Sequence, residues 1–565
     1  MVRYRVSSTC ASALLVIASC GGLDDPADGL DDSSAQATAD DLDPSLFAGD
    51  NTIAVTTEGV IRGVDAGSTR QFLGIPYAAP PVGDQRWRPP ERHARWRGIR
   101  DTTQFGDHCP QPSGAFGQGS GTEDCLFLNV FAPNPQHGRG RDRDRDDDRD
   151  GDDDGDRFGL RPVMVWIHGG ALVTGESNDY DATRLVEQGD VIVVTINYRL
   201  GALGFTAHPA LTAESPDHAS GNYGLMDQQE ALRWVRRNIL FFGGDPLRVT
   251  IFGESAGGLS VHTQLASPGS HGLFQRAIVE SGAYQLTQPA LATVEAAGTA
   301  FANRAGCTDQ TAACLRGLTV EQVLANQGTG LAVATPVIDN KFLTQSVGAA
   351  FASGQFNQVP VIEGSNHDEW RLFVGITELT TGVPLPAAAY PAAIAATLGV
   401  PAAVAQLLAA QYPLASFPSP SLALSALGTD AIFDCNARFA AQKLSQFVPT
   451  FAYEFNDPNA PQRFLPPVSF SYGAAHASEI QYLFTLPVTV PAPGLDAAQQ
   501  QLSQDMIAFW TSFARSGRPS ARGAAAWASY QTATDTLQSL QPPHPQPETG
   551  FAADHHCAFW DSLRQ

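Results

Sequence analysis

The chain has 565 residues, of which 43% are hydrophobic and 16% charged, with 30 Phe, 12 Tyr and 8 Trp. Such a chain can fill a large core, which excludes global disorder. At ~150 residues per domain the length allows three or four domains, or one large α/β enzyme. The net charge of −23 argues against nucleic acid as a partner, because phosphate binding needs a basic surface. The eight Cys are too few for a disulfide scaffold and show no C-x-x-C spacing, which argues against structural zinc. The acidity is concentrated. Residues 21–50 hold nine Asp and no Lys or Arg, and residues 137–159 hold ten Asp and six Arg.

In chain order, Arg3 and Arg5 precede an apolar run, Ala11 to Ala18, with no acidic residue before Asp24. This pattern predicts a secretory signal over residues 1–19, too short to span a membrane. The run ends Ile17-Ala18-Ser19-Cys20-Gly21 and resembles a bacterial lipobox, with Cys20 as the lipidated residue of the mature N-terminus. The expectation is an exported protein, either an outer-membrane lipoprotein or a periplasmic or secreted one, touching membrane only through that anchor. Residues 20–50 read as an acidic flexible tether, and residues 51–565 as one domain.

Residues 137–159 form a low-complexity Asp/Arg insertion without apolar periodicity, so it has no face to bury. Asp150, Asp152, Asp154 and Gly155 match the first half of a calcium loop, but Arg161 stands where the bidentate Glu belongs. The expectation is a solvated surface loop. Deleting Gly138–Gly159 and joining the ends with a short Gly/Ser turn should keep activity and most thermal stability. Calcium raising the melting temperature of the intact protein alone would overturn that reading.

From Pro162 strands alternate with helices. Val163–Ile167 is an apolar run ending in His168-Gly169-Gly170-Ala171, and Val191–Ile196 is a second strand. Residues 228–239 have helical periodicity, and Val249–Phe252 is a third strand followed by Gly253-Glu254-Ser255-Ala256-Gly257. The alternation predicts an α/β fold with a large, mainly parallel sheet flanked by helices. Gly-x-Ser-x-Gly between a strand and a helix is the pattern of a nucleophile elbow, with Ser255 exposed above the sheet near a helix N-terminus. A serine needs a base and the base an orienting carboxylate, in the order Ser, acid, His for this fold. Val359–Ile362 leads into Glu363-Gly-Ser-Asn-His-Asp-Glu-Trp370, and Phe451–Phe455 precedes a loop carrying His476. With 13 His in the chain, spacing alone makes His476 one candidate among several. The region about 375–430 is Ala/Leu/Pro-rich and broken by Pro391, Pro401 and Pro413, which predicts short cap helices over a pocket.

The segments FLGIPYAAPPVGDQRWRPP (72–90), EDCLFLNVF (123–131), VWIHGGALVTG (165–175), NYRLG (197–201), FGESAGG (252–258), EGSNHDEW (363–370) and GAAHASEIQYLF (473–484) together resemble the type-B carboxylesterase/lipase family, the cholinesterase-like α/β-hydrolases. The resemblance runs from about Thr52 to Leu563. It implies a Ser255, Glu369 and His476 triad that cleaves carboxylic esters through an acyl-enzyme, an oxyanion hole from the amides of Gly170, Ala171 and Ala256, and no metal or cofactor. Trp370 replaces the family Gly, which sets Asp368 against Glu369 as the acid; Phe373 keeps the register that favours Glu369. Implied too are disulfides Cys109–Cys125, Cys307–Cys314 and Cys435–Cys557, and ion pairs Arg86–Glu123 and Arg199–Asp227. The alternatives are hydrolysis of another acyl bond (amide, thioester or carbamate) and a non-catalytic adhesion protein. The loop between Cys109 and Cys125 lacks Trp, with only Phe116 in it, so a choline ester is disfavoured. The implied partner is a small-molecule ester.

Overall fold

Seven strands lie side by side in parallel, the central ones rich in β-branched residues: Ile192–Ile196, Arg161–Ile167, Gly244–Glu254, Arg276–Glu280, Val361–Asn366, Thr450–Phe455 and Leu537–Leu540, in that spatial order. The computed structural model describes residues 51–114, 117–135, 159–328 and 334–564. The signal, Cys20, the tether, Phe116 and the Asp/Arg insertion up to residue 158 lie outside the described residues. Antiparallel strands extend both edges: Phe127–Pro133, Thr69–Pro76 and Val64–Asp65 on one side, and Gln546–Glu548 on the other. The result is an 11-stranded mixed sheet. Val165, Ile251 and Val279 lie in the apolar layer on one face, and Trp166, Phe252 and Ile278 in the layer on the other. Burial on both faces is why these strands read as continuous apolar runs rather than alternating ones. This is the α/β-hydrolase fold.

Element boundaries shift from the sequence expectation, most at the third strand, expected at Val249–Phe252 and spanning Gly244–Glu254. The strand expected at Val359–Ile362 begins at Val361 and runs on to Asn366. Pro360 has no N–H for the ladder, whereas Glu363 to Asn366 pair with Ala452 to Phe455 of the neighbouring strand. The helix expected at 228–239 spans Tyr223–Asn238, because Tyr223 and Leu225 are buried although they precede the periodic stretch.

Past the C-terminal end of the strand at Val361–Asn366 the chain builds a cap of helices Arg371–Thr381, Tyr390–Leu398, Ala402–Gln411 and Pro420–Gly428. A π-helical turn, Thr429–Asp434, closes it. Two of the predicted proline breaks open helices: Pro391 sits in the first turn of Tyr390–Leu398, and Pro401 immediately precedes Ala402. Among the described residues no single helix is long and apolar enough to cross a membrane.

All three implied disulfides are present. Cys435–Cys557 joins residues 122 apart in sequence and ties the C-terminal helix to the turn at Thr429–Asp434. That turn has a second anchor. Buried His555 contacts Asp430 and Asp434 through Nδ1 at 2.8 and 2.9 Å and Glu454 through Nε2 at 2.8 Å. Closing so long a loop restricts the unfolded chain by up to about 4–5 kcal/mol. The Cys435→Ala/Cys557→Ala double variant should therefore lose about 3–5 kcal/mol in urea unfolding. An unchanged urea midpoint would show that the His555 cluster alone holds the segment.

Candidate active site

Ser255 sits between the strand Gly244–Glu254 and the helix Ala256–Ala266, with φ 56° and ψ −118°. A non-glycine residue pays about 1–3 kcal/mol to hold such a backbone, and strain of this kind clusters at functional sites. The turn is this sharp because its flanks are bare. A Cβ on Gly257 would stand 1.9 Å from the Ile167 carbonyl oxygen, and one on Gly253 2.5 Å from the same atom. The Gly-x-Ser-x-Gly pattern thus reflects the close approach of two neighbouring strand ends.

The loop after Ile167 also holds unusual backbone. Gly170, Ala171 and Leu172 have φ of 97°, 58° and 61°. The Gly170 carbonyl is fixed by the N–H groups of Val173 and Thr174, each at 3.0 Å. Among the described residues the amides of Gly170, Ala171 and Ala256 donate to no protein acceptor. Free amides beside a nucleophile are what an oxyanion needs.

His476 enters from the loop after Thr450–Phe455. Its Nδ1 lies 2.5 Å from Glu369 Oε2 and its backbone N–H donates to the Glu369 carbonyl at 3.3 Å. The other Glu369 oxygen accepts the Asn366 N–H at 2.8 Å, and the side chain is wholly buried. The imidazole packs against the stacked rings of Phe373 and Phe433, at 5.2 and 4.9 Å between centroids. Asp368 points elsewhere. It pairs with Arg371 at 2.7 Å and accepts the Ala474 N–H at 3.0 Å. Trp370 leaves the register intact: it stacks on Phe373 at 4.4 Å and packs over Gly428, where a Cβ would meet it at 2.2 Å. The two implied ion pairs form, Arg199 Nε to Asp227 at 2.8 Å and Arg86 Nε to Glu123 at 2.7 Å.

Sequence reasoning missed the other carboxylates. Glu254 lies in the elbow itself, and its Oε1 comes within 3.2 Å of His476 Nε2. Glu479, three residues beyond His476 and just before the helix Ile480–Leu483, accepts a hydrogen bond from the Asn366 side chain. Burial lowers the His476 imidazole, but the negative charges of Glu254, Glu369 and Glu479 outweigh it and raise the pKa to about 9. A general base works deprotonated, so activity rises with pH through this value. Burial raises Glu254 well above the ordinary carboxylate range while the charge on His476 pulls it down, and as the anion it faces the imidazole. Glu254→Gln removes that charge and should move the acid limb of kcat/KM to lower pH. A pH–rate profile whose acid limb stays in place would mean that Glu254 is uncharged in the working enzyme.

Ser255 and His476 line one cavity of about 500 Å³, bounded also by Gly170, Ala171, Tyr284, Phe373, Ile432, Phe433 and Phe464. Ile376 of the first cap helix and Gly117 of the loop between Cys109 and Cys125 complete the wall.

An elbow serine, free loop amides and a carboxylate-bound histidine on one cavity define a serine hydrolase. The chain matches the Carboxylesterase family over residues 50–560. It is 33% identical over 525 residues to cocaine esterase of Homo sapiens, covering 88% of each chain. It is 34% identical to para-nitrobenzyl esterase of Bacillus subtilis, with 85% of this chain and 93% of that one covered. It is 35% identical to fumonisin B1 esterase of Sphingopyxis macrogoltabida, with 82% of each covered. The chain belongs to the carboxylesterase family, and it is a carboxylic ester hydrolase. Three disulfides fit an exported protein, since such bonds form and persist in oxidising compartments.

Proposed function

We propose that Ser255, His476 and Glu369 act as nucleophile, base and orienting acid, with the amides of Gly170, Ala171 and Ala256 as the oxyanion hole. The observation that carries this is the 2.5 Å contact of His476 with Glu369 on the cavity that also holds the strained Ser255. His476 Nε2 takes the proton of Ser255 as Oγ attacks the ester carbonyl. Glu369 accepts the Nδ1–H, fixes the tautomer and stabilises the imidazolium. The oxyanion rests on the three amides, and the alcohol leaves with the proton that His476 returns. Water then attacks the acyl-enzyme by the same route. A fluorophosphonate probe should label one residue, Ser255, by peptide mass spectrometry. Labelling of another residue would refute the assignment.

The substrate follows from the cavity. Its volume and its walls of Phe373, Phe433, Phe464, Tyr284 and Ile376 suit an ester with one bulky apolar group. The relatives are named for different esters, so their names do not choose among substrates. A p-nitrophenyl ester series of rising chain length, run beside a phenyl carbamate and an anilide, tests the choice. Esters should lead, with kcat/KM rising beyond the acetate. An anilide or carbamate turned over faster would favour the other acyl-bond reading.

At the N-terminus we propose a signal over residues 1–19, lipidation of Cys20 and a tether to residue 50, with the catalytic domain following from residue 51. The basis is the lipobox-like Ala18-Ser19-Cys20-Gly21. Cys20→Ala should shift the enzyme from the membrane fraction to the soluble exported fraction, and unchanged fractionation would refute the anchor.

A further inference from the structure

Three carboxylates line the cavity that holds Ser255, namely Glu176, Asp179 and Glu254, and among its described lining residues there is no Lys or Arg. Their situations differ. Glu254 faces His476, and its Oε1 is buried with no hydrogen-bond donor. Glu176 is answered by His108 at 3.1 Å and by the Asn178 amide at 3.2 Å. Asp179 has no hydrogen bond or ion pair among the described residues.

Asp179 is also held in place. It ends the single 3-10 turn Ser177–Asp179. The Ser177 N–H donates to Asn197 Oδ1 at 2.8 Å, Asn129 donates to Ser177 Oγ at 3.1 Å, and Asn178 donates to the Gly106 carbonyl at 3.0 Å. The next residue, Tyr180, packs on Trp166 and Phe484 at 5.0 and 5.5 Å between centroids. Burial, then the neighbouring Glu176, raise the Asp179 carboxyl to about 6 against the opposing pull of His108, so it is charged at neutral pH. A half-buried carboxylate without a partner loses part of its hydration and gains nothing in return. On a rigid turn in a substrate cavity, a cationic ligand offsets that loss.

We propose that Asp179, supported by Glu176, is an anionic subsite of this cavity that selects esters carrying a primary or secondary ammonium group. The proposal rests on Ser255 being the nucleophile. An ammonium N–H donates to a carboxylate in a short charge-assisted bond, which a quaternary ammonium cannot do. The subsite therefore differs in kind from an aromatic box for choline. It leaves the chemistry at Ser255 unchanged and adds binding at a distance from the carbonyl, so its effect falls mainly on KM.

The test compares charged esters with neutral ones of like size, on both sides of the carbonyl. For the acyl side, p-nitrophenyl 6-aminohexanoate is set against p-nitrophenyl heptanoate. For the alcohol side, 4-(aminomethyl)phenyl butyrate is set against 4-ethylphenyl butyrate. One pair should favour the ammonium ester by about tenfold or more in kcat/KM at pH 7.5. In Asp179→Asn the ratio should fall to about one, with the change in KM, and Asp179→Glu should restore part of it. The side that responds tells whether the subsite faces the acyl or the alcohol group. A ratio near one for both pairs in the native enzyme, or a preference that survives Asp179→Asn, overturns the proposal. If Asp179→Asn does not fold, the native ratios and Asp179→Glu decide. Neutral ester turnover that persists in Ser255→Ala would instead sink the nucleophile assignment, whatever the ammonium ratios show.

Discussion

Ser255→Ala should lower kcat for p-nitrophenyl butyrate by about 10⁴-fold or more while leaving the fold and its thermal midpoint intact. The fold should survive because the hydroxyl makes no hydrogen bond to the scaffold among the described residues; the backbone fixes the turn. The Ser255 N–H donates to the Glu280 carbonyl at 2.9 Å, and the Ser255 carbonyl accepts the Leu259 N–H at 2.8 Å. Alanine at φ 56° is no more strained than serine there. What disappears is the atom proposed to form the acyl-enzyme. The free amides of Gly170, Ala171 and Ala256 would remain to polarise a bound carbonyl, so a small residual rate above buffer is expected. A variant keeping more than about a hundredth of native kcat would show that another residue attacks.

How much of this was legible in the sequence depended on how local each feature is. The elbow was, because its glycines, serine and flanking strand and helix are contiguous. The Ile167 carbonyl that forbids a side chain at Gly257 comes from a different strand, yet it leaves its mark as the second glycine of the motif. The disulfides and the two ion pairs were implied by resemblance, and they form. The carboxylate proposed as the acid was half legible. Asp368 and Glu369 are adjacent, and Trp370 in place of a glycine obscured the register until Gly428, 58 residues on, could be seen to make room for the indole. Glu254 was in view as a letter of the elbow. Its approach to His476, 222 residues away, is a tertiary fact with no local sign. Asp179 was hidden for the same reason, since an Asp in a loop reads as solvated until the cavity around it is known. The His555 cluster joins Asp430, Asp434 and Glu454 across more than 100 residues and shows no periodic pattern.

Glu369→Gln should cost about 10³-fold or more in kcat, and Asp368→Asn less than about tenfold. The two carboxylates are neighbours in sequence with different work. Glu369 spends one oxygen on the Asn366 N–H at 2.8 Å and the other on His476 Nδ1 at 2.5 Å. Glutamine has the same shape but only one acceptor. If its oxygen keeps the Asn366 N–H, its NH₂ faces Nδ1, which must then accept, and the imidazole proton moves to Nε2. The base is then in the wrong tautomer to take a proton from Ser255. If the amide turns over, its NH₂ abuts the Asn366 N–H with no acceptor between them, in a site without water exposure. Either way the imidazolium formed in the reaction loses its adjacent anion. Asp368 holds Arg371 and the Ala474 N–H, which position the loop before His476. Asparagine keeps an oxygen for that N–H and loses the charge that faces Arg371 and His367, both partly exposed to solvent. The measurement is kcat for both variants at pH 8, with near-UV circular dichroism to confirm native packing. If Asp368→Asn proves the more damaging of two folded variants, the contact of Glu369 with His476 is structural and the acid of the triad is Asp368.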